Sequence, residues 1–161
     1  MSGFEKMLST CLLWLFAYFV TLFITYKTGV GSNILRHALK RLAKLRKLCA
    51  NFQLLITSKD FNIKSKKPVI KLSEIINCQK GIVRILTVYL YDDKTDKDVS
   101  SAKEYLIDIP NYCRQALMLA SEGSNSDIND FFKQIDTRIS SAEGLVKKAL
   151  EYDIKNEMLK V

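Results

Sequence analysis

The sequence predicts an all-α protein: a single N-terminal transmembrane helix followed by a bundle of about four amphipathic helices. Three observations predict it. Met7 to Tyr26 runs without one charged residue. The 161 residues hold only two prolines and six glycines, too few for a many-turned β fold. After the apolar run, hydrophobic residues recur at the i, i+3, i+4, i+7 spacing of amphipathic helices. The layout that follows is an anchor over residues 1–27, a hinge over 28–33 and a helical bundle domain over 34–161.

The anchor is a matter of length. At ~1.5 Å rise per residue, the run from Met7 to Tyr26 extends roughly 30 Å, the depth of a bilayer's hydrocarbon core. A cleaved signal peptide has a basic start and a shorter apolar run, whereas MSGFEK is nearly neutral. Orientation follows the cations. Residues 27–71 carry 12 Lys and Arg against one acid, Asp60, while residues 72–161 carry 12 against 15 acids. By the positive-inside rule the bundle is cytoplasmic, on a single-pass membrane protein.

The elements follow in order. Leu35, Leu39, Leu42, Leu45, Cys49, Phe52 and Ile56 mark one face of a helix from Ile34 to Ile56, with Ser32 or Asn33 as its cap. Arg46 falls on that apolar face and needs a partner acid or room to snorkel. Residues 57–67 read as a loop, and Pro68 belongs in the first turn of a helix reaching Tyr91. Its end, VRILTVYLY, also alternates weakly as a strand would, but the helical phase continues through it. DDKTDKD reads as a charged turn, with Asp98 capping the next helix. That helix carries Val99, Ala102, Leu106, Ile109, Cys113, Leu117 and Ala120. Pro110 either kinks it or divides it at Asp108–Ile109. SEGSNS is a loop in which Gly123 ends one helix and Ser126 caps the last, a long helix from Asp127. Short connections between such helices favour antiparallel packing, with coiled-coil-like contacts.

Chemistry is sparse. His37 is the sole histidine and has no acid near it in sequence, as a Ser-His-Asp site would need. Asp92, Asp93, Asp96 and Asp98 cluster, but lack the glycine and distal glutamate of a calcium loop. Cys11, Cys49, Cys78 and Cys113 are far apart and form no C-x-x-C pair, so reduced buried thiols are expected and a zinc site is not. The tyrosines Tyr89, Tyr91, Tyr105, Tyr112 and Tyr152 fit core positions. No cofactor is expected. The candidate functional residues are the cations Lys27, Arg36, Lys40, Arg41, Lys44 and Lys47, placed to touch anionic headgroups beside the anchor. Nucleic acid is disfavoured as a partner, because no aromatic residues interleave with them.

The run Ala102-Lys-Glu-Tyr-Leu-Ile-Asp-Ile-Pro110, continued by Asn111-Tyr112-Cys113-Arg114-Gln115-Ala116-Leu117, resembles a bacterial family. This is the XpaC-like family, named after 5-bromo-4-chloroindolyl phosphate hydrolysis, and the resemblance spans residues 72–161. It implies an N-terminal membrane segment before a helical domain. The family's paired tyrosines before the proline are missing here, and one anchor stands where members often have two. No catalytic residue carries over. LemA proteins, with a similar anchor and helical rod, are a fainter likeness.

The expected function is a membrane-tethered scaffold or adaptor without catalytic activity. It would bind a protein partner, or a second copy of itself, beside an anionic membrane surface. The alternatives are a small accessory subunit of a larger membrane complex, or a metal-dependent phosphate hydrolase using the acidic turn.

Overall fold

The computed structural model describes residues 12–20, 31–89 and 93–159, all in helices and their connections. Residues 12–20 form a short helix, α1, exposed along its whole length. Five helices follow: α2 (Gly31–Ile56), α3 (Lys67–Val88), α4 (Asp93–Ile107), α5 (Ile109–Ser121) and α6 (Asn125–Met158). Among the described residues there is no strand, and no helix is long and apolar enough to cross a membrane. The predicted anchor overlaps the described residues only at 12–20, and the rest of it lies outside them, as does Lys27.

α6 is the spine. Its 34 residues span about 51 Å. It packs against α2, α4 and α5, while α3 packs against α2 and bridges to α4 and α5. α2 runs antiparallel to α6. Gly31 meets Asp153 at one end, Arg46 meets Asp136 and Glu143 midway, and Phe52 stacks on Phe132 beyond. α3 runs antiparallel to α2, which brings Tyr89 back to Gly31. α4 and α5 together run antiparallel to α6, with Asp98 on Lys148 and Asp108 on Arg138.

The apolar stripes meet in one core. Leu35, Leu42, Leu45 and Phe52 of α2 are wholly buried, as are Ile75, Ile82 and Leu86 of α3 and Ile128, Ile139 and Val146 of α6. Each such side chain stabilises the fold by roughly 1.5–3 kcal/mol relative to exposure. Gly123 turns the chain with φ of +77°, the left-handed conformation expected of it. Open space surrounds Gly144, and α6 continues through it.

The structure corrects several boundaries. The described residues form five bundle helices where about four were expected, because Pro110 divides the third at Asp108, the second of the two readings of that proline. α4 already begins at Asp93, so most of DDKTDKD is helical. Asp98 therefore lies inside the helix and does not cap it. Acidic residues in a first turn suit the positive end of the helix dipole, and buried Thr95 anchors that turn to the core. α2 begins at Gly31, so Ser32 is buried in its first turn and neither Ser32 nor Asn33 precedes it. The hinge is helical from 31, and 28–30 lie outside the described residues. α3 stops at Val88, where Tyr89 turns extended, and Leu90 and Tyr91 lie outside the description. α6 starts two residues early, at Asn125, so Ser126 is not its cap.

The division at Pro110 has a precise chemistry. A helical residue 110 would donate its N–H to the carbonyl of Leu106, and proline has none to donate. Gln79 of α3 supplies the replacement, its Nε2 donating to the Leu106 oxygen at 3.1 Å from a buried position. From the other side, Arg138 holds Asp108 at 3.5 Å, donates to the Tyr112 hydroxyl at 3.2 Å and stacks over the Tyr112 ring. Gln79→Leu is therefore expected to cost about 1–3 kcal/mol, the penalty of a buried unsatisfied carbonyl. In a Pro110→Ala background the helix regains its own donor and the cost should shrink. Urea unfolding of the four proteins of this cycle checks it, and equal costs in both backgrounds would refute the assignment.

Candidate functional site

Helical phase divides α2 into two unlike faces. Its buried stripe faces the core, and Arg36, His37, Lys40, Lys44 and Lys47 stand exposed opposite it. Arg41 lies at the border, half-buried, with its guanidinium over Gly81 of α3 in the space a Cβ would occupy. Lys80 and Arg84, one turn apart on α3, are exposed and continue the cationic surface. Residues 31–89 carry thirteen Lys and Arg against two acids, Asp60 and Glu74, whereas residues 93–159 carry nine against thirteen acids. The α2–α3 hairpin is thus a basic slab backed by an acidic one.

Of the predicted contact residues, Arg36, Lys40, Arg41, Lys44 and Lys47 share this face. None of the five forms an ion pair with a described residue. Among the described residues Arg36 reaches the side-chain oxygen of Asn33, at 3.4 Å. Arg46 is different: its guanidinium turns to α6 and meets Asp136 at 3.1 Å, Glu143 at 2.9 Å and the Ser140 hydroxyl at 3.1 Å. Of the two outcomes its place on the apolar face allowed, a partner acid or snorkelling, Arg46 thus takes the first, on Asp136 and Glu143. Lys147 and Arg46 together hold Glu143 below the usual carboxylate range, against the opposing pull of desolvation. That contribution to stability is complete above the ordinary carboxylate pKa and is lost as pH falls through the lowered one.

Lys80, Arg84 and His37 join the site without having been predicted in it. The signal was present in the phase of α3, since residues 80 and 84 fall opposite the buried Ile75, Ile82 and Leu86. Two grooves indent the basic face. One, of about 380 Å³, is lined by Arg41, Lys44, Leu48, Glu74, Asn77 and Cys78. Burial pushes the Cys78 thiol up while Lys44 and Arg41 pull it down. The other, of about 410 Å³, is lined by Asn33, Ile34, His37, Arg84, Ile85 and Val88. On the acidic side, a groove of about 510 Å³ runs between α5 and α6, lined by Gln115, Met118, Leu119, Glu122, Asp127 and Phe131.

Among the described residues the catalytic candidates do not assemble. His37 is exposed, and no carboxylate of the described residues lines its groove. Asp96 is exposed and Asp98 is held by Lys148 at 2.9 Å, while Asp92 lies outside the described residues. Among the described residues no three His, Cys, Asp or Glu side chains are grouped to hold a metal ion. Cys49, Cys78 and Cys113 are free and buried, and Cys11 lies outside the description. The neighbouring Cys113 thiol, and burial, raise the pKa of the Cys49 thiol, the direction that disfavours the reactive thiolate. Tyr89 is core, Tyr112 and Tyr152 are half-buried, and Tyr105 is exposed. No family model matches the chain, and no curated protein and no solved structure matches it either.

Proposed function

We propose that this chain is a membrane-tethered helical adaptor with no catalytic activity of its own. The run from Met7 to Tyr26 is its single membrane span, and the bundle lies on the cytoplasmic side. The α2–α3 face rests on anionic headgroups, and the acidic face opposite is left to a protein partner. One observation carries the reading: α2, which begins at Gly31, five residues after the apolar run, presents from Arg36 on an exposed cationic face without ion pairs to the described acids. Each basic residue near an anionic leaflet contributes about 1 kcal/mol of attraction, and the effect fades beyond a Debye length. The resemblance to XpaC-like proteins agrees with this reading in layout alone.

Lysine acetylation footprinting of the full chain in vesicles tests it. Lys40, Lys44, Lys47 and Lys80 should be protected in phosphatidylglycerol bilayers and regain reactivity in phosphatidylcholine or at high salt. Lys97, Lys133 and Lys155, exposed on the other helices, should react alike throughout. Equal labelling of both sets in every bilayer would reject the reading.

A further inference from the structure

We infer that the groove lined by Ile34, His37, Arg84, Ile85 and Val88 seats one anionic phospholipid of the bilayer. Its apolar wall takes the start of an acyl chain, and Arg84 and His37 meet the headgroup. The inference rests on the reading of α2–α3 as the membrane-facing side and goes one step deeper.

Three observations carry it. First, the groove is an apolar interruption in a cationic face. Val88 is 62% exposed, beside half-buried Ile34 and Ile85. Water gives no reason for branched aliphatic side chains to stand among arginines and lysines, but an amphiphile with an apolar tail and an anionic head matches both halves. Secondly, no acid among the described residues lines it, whereas Glu74 lines its neighbour on the same face. Charge therefore selects an anion here. Thirdly, it lies at the anchored end. Ile34 is three residues into α2 from Gly31, about 5 Å along the helix, and Gly31 is fixed there by close packing against Tyr89 and Asp153. A chain leaving Gly31 for a bilayer brings this end of the hairpin to the surface first. The volume of about 410 Å³ suits part of one lipid and falls within the ~300–1,000 Å³ of small-ligand clefts.

Tryptophan reporters in the full chain test this, with Trp14→Phe removing the sole native tryptophan. Val88→Trp places a reporter in the groove, Ala43→Trp one on the basic face outside it, and Met118→Trp one on the acidic side. All three positions are exposed, so the substitutions leave the core intact. In vesicles of phosphatidylglycerol brominated on its upper acyl carbons, the Val88→Trp emission should be quenched and that of Met118→Trp should not. Adding Arg84→Gln should raise about five-fold the anionic lipid fraction needed for half-maximal quenching, the equivalent of ~1 kcal/mol. An unchanged fraction would overturn the assignment of the headgroup to Arg84. A dansyl acceptor on the headgroup separates the two levels of the argument. If Ala43→Trp transfers energy to it but Val88→Trp stays unquenched, the groove takes no lipid and only the facing stands. If Ala43→Trp transfers no more than Met118→Trp, the facing itself fails.

Discussion

Replacing Lys40, Lys44, Lys47 and Lys80 together by glutamine is expected to weaken attachment of the bundle to an anionic bilayer by about 4 kcal/mol, roughly a thousandfold. The figure takes ~1 kcal/mol for each cation near the surface. Glutamine keeps a helix propensity close to that of lysine, so α2 and α3 should persist. All four lysines are exposed and none has an ion-pair partner among the described residues, so little folding stability goes with them. The effect can be read on residues 31–161 alone, because every buried residue among the described ones lies between Gly31 and Ala149 and α1 contributes none. Co-sedimentation with phosphatidylglycerol vesicles over a salt series measures it. Substituting Lys97, Lys133 and Lys155 instead should change binding far less. Equal losses from both sets would mean that net charge, and not the α2–α3 face, governs attachment.

Phe52→Ala should cost about 3–5 kcal/mol of folding stability. The Phe52 side chain is fully buried, and its ring lies 6.2 Å from that of Phe132 at 56°, joining α2 to α6 at the end remote from Tyr89 and Asp153. Truncation removes both the transfer energy of the ring and its contacts, because neighbours close only part of the cavity. Domains of this size are stable by ~5–15 kcal/mol, so the loss is a large share of the total. Leu54→Ala, two residues away and 70% exposed, should stay within about 0.5 kcal/mol of the parent. Urea midpoints followed by circular dichroism compare the two. Equal midpoints would mean that this end of the bundle is not packed as described.

Local periodicity carried most of the fold. Leu42, Ile82, Ile128 and Ile139 are buried where the 3.6-residue phase puts them. The sequence also left Arg46 to snorkel or to find a partner acid, but could not say that it stands on Asp136 and Glu143, some ninety residues on. Gln79 escaped notice for the same reason. Hydrophobic patterning has no place for a buried amide, and the carbonyl that needs it belongs to a helix not yet formed. DDKTDKD reads as a turn but is mostly helix, because charge density marks a loop and a helix start equally well. On the candidate site, α2 alone was legible. Arg84 and Lys80 join it only once α3 folds back antiparallel, which no local pattern states.

The place of α6 in the chain sets an order of assembly. A nascent chain emerges N-terminus first, at about 5–20 residues per second. Its basic hairpin is therefore complete while the helix that closes the core is still being made. For several seconds α2 and α3 have each other but not their spine, with Leu35, Leu42 and Phe52 awaiting partners at Phe132 and beyond. A bilayer gripping the cationic side during that interval would leave the apolar side facing away from lipid, open to the arriving α6. The surface proposed to hold the finished protein would then also serve as the bench on which it is built.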